Sequence, residues 1–294
     1  MKYVITGSLG HISKPLSAAL IKKGHNVTVI TSKQENAADI EALAAKPAVG
    51  LIEDVDFLTT TFTGADAVYT MIPPKWDATD WKGWIEQIGK NYATAIKNAG
   101  VPYIVNLSSI GAHLPDGAGP VSGLHRVENA LNTLHNVNIV HLRPAYFYQN
   151  LLANIGMIKQ ANIIGSNFGN DKTPLVHPRD IAAVAAEELL DLNFKGHTIR
   201  YIVGDERTGA DIASVIGDAI GKPDLPWIVF SNEQNLQGAI QAGLSEEVAK
   251  NYTEIGNAMR TGRFYEEYEP NKPSFSNTKL EDFAPEFAGA YNAS

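Results

Sequence analysis

A chain of 294 residues, 44% of them hydrophobic and 19% charged, has the composition of an ordinary globular protein and is long enough to bury a sizeable core. A net charge of −8 gives no basis for nonspecific attraction to a nucleic acid backbone or for a polybasic contact with a membrane. There is no cysteine, which excludes disulfides, thiolate metal sites and cysteine nucleophiles and suits a reducing compartment.

The N-terminal apolar run is interrupted at Gly7 and Gly10, so no signal peptide is expected, and no run approaches the roughly 20 apolar residues of a membrane helix. A soluble, cytoplasmic protein is expected. Tyr3 to Thr6 reads as a short strand, Lys14 to Lys23 as a helix closed by Gly24, and Asn26 to Thr31, rich in β-branched residues, as a second strand. A third strand is expected at Val49 to Ile52, a helical turn at Asp56 to Phe62, and a fourth strand at Ala67 to Ile72, stopped by Pro73 and Pro74. Trp81 to Ala99 carries Trp84, Ile88, Tyr92, Ala95 and Ile96 along one helical face, with Gly100 closing the helix. Strands follow at Tyr103 to Leu107 and Asn138 to Leu142, with a helix at Leu124 to Leu134 between them. Strands buried on both faces and joined by helices predict a parallel, doubly wound sheet. Past Arg143 the spacing predicts a helix at Tyr146 to Gln160, an irregular stretch at Asn162 to Asp171, a helix at Asp180 to Leu190 and a strand at Thr198 to Val203. Helices at Ala210 to Ile220, Glu233 to Ala242 and Glu246 to Arg260 follow, and a short one closes the chain at Lys279 to Ala290.

The stretch GSLGHIS, residues 7 to 13, sits between the first strand and the first helix. Gly7 lets the chain turn sharply, Gly10 lets the backbone approach a pyrophosphate at the helix N-terminus, and Ser13 stands where a third glycine often stands. A structural turn would use the same residues, but the strand, turn, helix, strand order favours dinucleotide binding. The second strand ends Thr31-Ser32-Lys33 with no carboxylate at the place that binds a free ribose 2′-hydroxyl. Lys33 suits a 2′-phosphate, so NADP(H) is favoured, while nearby Glu35 keeps NAD(H) open.

Five segments together resemble the NmrA-like branch of the atypical short-chain dehydrogenases: the opening turn, Gly64 to Val68, Asn106 to Gly111, Arg143 to Asn150, and the block from Ile202 to Gly204 through Gly221 to Pro223. The resemblance spans nearly the whole chain. It implies an α/β fold, a Rossmann-type doubly wound parallel sheet with a smaller, mainly helical C-terminal domain and a cleft between them. Residues 1–145 with about 175–204 would form the NAD(P)-binding domain, and about 146–174 with 205–294 the substrate-binding domain. By position it implies pyrophosphate contacts from Gly7, Leu9, Gly10, His11 and Ile12, and adenosine ribose contacts from Thr31, Ser32 and Lys33. Met71, Ile72 and Pro73 would lie along the cofactor. Leu107, Ser108, Ser109, Pro144, Tyr146 and Phe147 would line the nicotinamide end. The chain departs from its relatives at Leu51, where many have an acidic residue near the adenine.

Ordinary short-chain dehydrogenases pair a Tyr with a Lys four residues later, so that the ammonium lowers the phenol pKa. The helix PVSGLHRVE, residues 120 to 128, has neither. Tyr268 and Lys272 have that spacing, but Pro270 lies between them and the tail is expected far from the C-terminal edge of the sheet. His125, Ser108 and Tyr146 are left as weak catalytic candidates, each with an ordinary structural reading beside it: surface histidine, strand-end hydrogen bond, apolar wall. No metal spacing is present. Hydride transfer to a quinone does not demand a strong side-chain acid, so the expected function is an NAD(P)H-dependent oxidoreductase that reduces a quinone or another small carbonyl compound. The competing expectation is a non-catalytic dinucleotide sensor that acts through a protein partner. Self-pairing into a homodimer is left open.

Overall fold

The computed structural model describes all 294 residues. In chain order the first elements are β1 (Lys2–Ile5), α1 (Ser13–Lys22), β2 (Asn26–Thr31), α2 (Ala37–Ala42), β3 (Lys46–Val49), α3 (Val55–Phe62), β4 (Ala67–Thr70), α4 (Trp81–Ala99), β5 (Tyr103–Leu107), α5 (Pro120–Leu131) and β6 (Asn138–Pro144). There follow β7 (Tyr146–Phe147), α6 (Ile155–Ala161), β8 (Ile164–Ser166), β9 (Thr173–Val176), α7 (Pro178–Asp191), β10 (His197–Ile202), β11 (Asp205–Arg207), α8 (Gly209–Ala219), β12 (Trp227–Val229), α9 (Asn232–Gln241), α10 (Glu246–Arg260) and α11 (Leu280–Ala293).

Seven strands form one parallel sheet in the order β10-β6-β5-β4-β1-β2-β3. Successive side chains alternate between its faces. Ile5, Val29, Tyr69, Val105 and Leu142 meet α1 and α7 on one side. Val4, Ile30, Val68, Ile104 and Ile139 meet α3, α4 and α5 on the other. Covering both faces is what makes these strands read as continuous apolar runs. The strand order reverses between β1 and β4, which opens a crevice at the C-terminal ends of those strands. A third apolar core joins Tyr148, Leu151, Ile212, Ile216, Phe283 and Phe287 under α8 and α11. No helix is long and apolar enough to cross a membrane.

The helices that hold this frame carry local stop and start signals. The Asp80 carboxylate accepts the Gly83 N–H at the start of α4, and Gly100 ends that helix with φ 68°, a conformation in which a side chain is strained. At α8, Thr208 and Asp211 form a reciprocal capping box.

Four expectations are corrected. The third strand is Lys46–Val49, ahead of the expected Val49 to Ile52, because the Gly50 N–H donates to Thr31 O and the chain then turns outward, leaving Leu51 56% exposed. The helix expected from Leu124 starts at Pro120, whose missing N–H costs nothing at a first helical position, and ends at Leu131. Tyr146 to Gln160 is not one helix. Tyr146 and Phe147 pair instead with Leu175 and Val176, a 3₁₀ segment covers Tyr148–Asn154, and only Ile155–Ala161 is α-helical. Short strands that pattern alone does not disclose, β9 with β11 and β8 with β12, build the second body.

Candidate cofactor and acceptor site

The glycine turn lies at the switch between β1 and β4. Gly7 has φ 89°, and a Cβ there would come within 2.8 Å of Met71 Sδ (2.7 Å) and Ser13 Oγ, so only glycine fits. Ser13 is nearly fully buried and its hydroxyl donates to Thr6 O at 2.8 Å, which closes the turn at the place of the usual third glycine. Met71 is fixed above it, because Thr6 Oγ1 accepts the Met71 N–H at 2.8 Å and the Tyr92 hydroxyl donates to Met71 O at 2.9 Å. At Gly10 the only atom near a built Cβ is Gly7 O at 3.2 Å, so the remaining space beside it is open. No side chain caps α1. An uncapped helix start beside an open glycine is the arrangement that receives a phosphate anion, and Gly7, Leu9, Gly10, His11 and Ile12 are brought together around it.

Thr31, at the end of β2, is drawn into the same turn. Its Oγ1 lies 3.1 Å from Ser8 Oγ, 3.1 Å from Asn36 Nδ2 and 3.3 Å from the Lys33 amide nitrogen. Asn36 escaped the sequence reading because an asparagine after a strand signals a turn before it signals a contact. Ser32 and Lys33 follow in the open, and Lys33 Nζ is 3.5 Å from Glu35 Oε1 with both side chains mostly exposed. The positive charge offered to a 2′-phosphate is therefore partly compensated by its neighbour. Leu51 adds an apolar side chain next to this corner.

Met71, Ile72 and Pro73 leave β4 partly exposed and lead to Trp76, 51% exposed. At the end of β5, Leu107 and Ser108 are buried and Ser109 is half-buried. The Ser108 hydroxyl donates to Glu128 Oε1 at 2.5 Å, so its proton is committed to a carboxylate. Glu128 is itself gripped by Arg143, with Nε to Oε1 at 3.0 Å and Nη2 to Oε2 at 2.6 Å, and Arg143 Nη1 continues to Glu267 at 2.6 Å and to the Tyr201 hydroxyl at 3.2 Å. These carboxylates hold the guanidinium well above its ordinary range against the cost of burial. No local spacing in the chain points to this network, since its members lie up to 159 positions apart between Ser108 and Glu267.

His125 donates from Nδ1 to Ala112 O at 2.8 Å and accepts from Asn129 at Nε2, 3.0 Å. It lines a polar cavity of about 260 Å³ with His113, Glu128, Arg143 and His197, beside α5, β6 and β10, and no residue of the glycine turn reaches that cavity. The nearby His141 bridges Asn106 and Asn132 and is pushed down to about 4, chiefly by burial. No group of three or more His, Asp or Glu is arranged to hold a metal ion.

Pro144 ends β6, and Tyr146 and Phe147 follow at the crevice. The Tyr146 ring packs on Phe168 with centroids 5.8 Å apart, its pKa is raised first by burial and then by the neighbouring Tyr252, and its hydroxyl makes no hydrogen bond to the protein. The tail comes nearer than expected. Phe264 fills the space beside Gly111, and Tyr268 packs on Tyr201 of β10, so the segment reaches the C-terminal ends of the outer strands. Tyr268 and Lys272 both turn to Glu206, at 2.8 and 3.0 Å, with Pro270 in a 3₁₀ turn between them.

With this geometry in view, the sequence profile of a family described as NAD(P)H-binding matches residues 7–191. An NAD(P)H azoreductase of Xenophilus azovorans is 23% identical over 253 residues, covering 86% of this chain and 85% of that protein. Among solved structures, an NADPH-dependent quinone oxidoreductase from Escherichia coli superposes with a TM-score of 0.80 at 18% identity, over 97% of this chain and 98% of that one. A Citrobacter sp. triphenylmethane reductase complexed with NADP(H) does so with a TM-score of 0.81 at 20% identity, over 97% and 99%. At these identities the two superpositions establish the fold.

Proposed function

This chain belongs to the NAD(P)H-binding family, and on that premise we propose that it is an oxidoreductase that reduces a quinone or another small carbonyl compound at the crevice between β1, β4 and β5. The observation that carries the reading is the turn itself: Gly7 locked under Met71, Ser13 closing the loop, and open space at Gly10 before an uncapped helix. Those features fit the pyrophosphate of NAD(P)H. When bound, the dihydronicotinamide supplies the hydride.

The chain's own residues divide the rest. The amides of the turn bind the diphosphate, and Thr31, Ser32 and Lys33 take the adenosine ribose, with Lys33 favouring a 2′-phosphate over the bare hydroxyl of NAD. Met71 to Pro73 and the Pro144 to Phe147 segment position the reactive ring. Residues 1–145 with 175–204 are assigned to the dinucleotide and 146–174 with 205–294 to the acceptor. No tyrosine and lysine pair faces the crevice, and the Ser108 hydroxyl donates its hydrogen bond to Glu128. Protonation of the product therefore falls to water or to a weak donor, which suits a quinone better than a simple alcohol-forming reaction. We place the protein in the cytoplasm, where a reduced nicotinamide pool is available to it.

The test is to mix purified protein with NADPH or NADH and a panel of quinones and aldehydes while following nicotinamide absorbance. Turnover of at least one quinone is expected. Micromolar cofactor binding with no turnover of any acceptor would return the protein to the dinucleotide-sensor reading.

A further inference from the structure

Ser8, directly after Gly7 in the glycine turn, has φ 54°, in the left-handed region where a residue with a side chain is strained. Its amide is spent inside the fold, donating to Ile30 O at 3.0 Å. Only its hydroxyl is left to meet a ligand.

That hydroxyl belongs to a closed triangle with Thr31 and Asn36. Ser8 Oγ and Thr31 Oγ1 lie 3.1 Å apart, and Asn36 Nδ2 donates to each of them at 3.1 Å. The Lys33 N–H donates to Thr31 Oγ1 as well, at 3.3 Å. A hydroxyl has one proton and two lone pairs. Asn36 and Lys33 fill both lone pairs of Thr31, so the proton between the two hydroxyls is that of Thr31, and Ser8 accepts it. Ser8 then accepts from Asn36 and from Thr31, and its own proton has no acceptor in the protein. Two hydroxyl protons share a single contact here, so one of them is left over whichever way that contact is directed. Thr31 is 2% exposed whereas Ser8 is half-buried, so the proton that can reach a ligand is the one on Ser8.

We propose that Ser8 is a specificity residue of the dinucleotide site: its hydroxyl donates to the 2′-phosphate of NADP(H), and Asn36 is the positioning residue that holds the hydroxyl in that direction. This rests on the dinucleotide reading and sharpens it. The triangle stands at the end of β2, between the glycine turn and Lys33. A free ribose 2′-hydroxyl is usually met there by a carboxylate that accepts its proton, and no carboxylate belongs to the triangle. A group whose remaining capacity is a proton calls for an acceptor, and a phosphate oxygen is a strong one. Lys33 shares its charge with Glu35 at 3.5 Å in an exposed setting, so a fixed donor beside it adds discrimination that the screened ion pair does not supply.

The experiment measures the affinities of wild type, Ser8→Ala, Ser8→Gly and Asn36→Leu for NADPH and NADH by nicotinamide fluorescence, and for adenosine 2′,5′-bisphosphate and ADP by calorimetry, with Tm as the control. Ser8→Gly removes the hydroxyl while easing the backbone strain, so it stands in if the alanine variant folds poorly. Each Ser8 variant is expected to bind NADPH and the bisphosphate about tenfold more weakly, with NADH and ADP affinities unchanged. Asn36→Leu is expected to shift the same ratio in the same direction by a smaller factor. Wild-type NADPH affinity in both Ser8 variants overturns the inference while leaving the dinucleotide reading intact. Equal losses for NADPH and NADH overturn it as well, because the hydroxyl would then serve the diphosphate, and a loss that follows a fall in Tm in both Ser8 variants does so because the hydroxyl would be structural. Wild-type protein that binds neither dinucleotide overturns both.

Discussion

At Gly10 the missing side chain leaves the space beside the start of α1 open. A built Cβ meets only Gly7 O, at 3.2 Å, a tight contact that the turn must relieve by a few tenths of an ångström, and a larger side chain fills the space beside the helix start. Gly10→Val is expected to fold with at most a small loss in Tm and to lose NADPH affinity by about a hundredfold or more, near 3 kcal/mol, measured by nicotinamide fluorescence titration with Tm as the control. Lys33 poses a finer question, because Glu35 shares its charge at 3.5 Å in an exposed setting. Lys33→Ala should reduce the preference for NADP over NAD by roughly tenfold, about 1.4 kcal/mol, with NAD affinity held. An unaltered preference would remove Lys33 from phosphate recognition. The turn was legible from its glycines and their place between strand and helix. Asn36 was not, because its bond to Thr31 depends on how the chain folds back after β2.

Between elements, polar chains cross the sheet where apolar patterning predicts only strands. Thr70 of β4 donates to Asn106 of β5 at 2.9 Å, Asn106 donates to His141 Nδ1 of β6 at 3.0 Å, and His141 Nε2 reaches Asn132 at 3.0 Å. Both ring nitrogens are satisfied only in the neutral form, and burial holds the histidine down to about 4 against a usual 6.5. The unfolded chain takes up that proton near pH 6.5 and the folded one only near pH 4. Between those values the unfolded state binds more protons, so stability falls as the pH drops, by on the order of 3 kcal/mol across the window, and is unaffected above it. His141→Gln, which can accept from Asn106 and donate to Asn132, is expected to flatten the slope of unfolding free energy between pH 6.5 and 4 in urea titrations. An unchanged slope would place the acid sensitivity elsewhere.

Across the whole molecule, Arg143 is the residue that ties the sheet to the tail. It holds Glu128 of α5, which in turn holds Ser108 at the end of β5, and it reaches Tyr201 of β10 and Glu267 of the tail. The Arg143 and Glu128 side chains are 5% and 6% exposed, whereas Glu267 is 51% exposed. Arg143→Met strands a buried carboxylate and is expected to cost roughly 3–5 kcal/mol in chemical unfolding. Glu267→Gln removes only the solvent-facing partner and is expected to cost less than about 1 kcal/mol. Adding Glu128→Gln to Arg143→Met should recover part of the loss. Equal losses from Arg143→Met and Glu267→Gln would show that the tail contact, not the buried pair, carries the energy.

The sequence by itself determined the parallel sheet and the place of the glycine turn between β1 and α1. Both rest on short-range signals: β-branched runs, helical periodicity, capping residues and glycines within a few positions of one another. Trp81–Ala99, Tyr103–Leu107 and Glu246–Arg260 could be read residue for residue for that reason. Tyr146–Phe147 could not, because a helix-like pattern there was overruled by pairing with Leu175 and Val176, nearly thirty positions on. The surroundings of the ends of β4, β5 and β6 were decided by tertiary structure alone. Ser108 and Glu128 meet across a strand and a helix, Phe264 arrives at Gly111 from the far end of the chain, and Tyr252 comes to Trp76 and Trp81 on a helix docked by its own carboxylates. Such contacts are set by the packing of whole elements, and no local spacing in the chain encodes them.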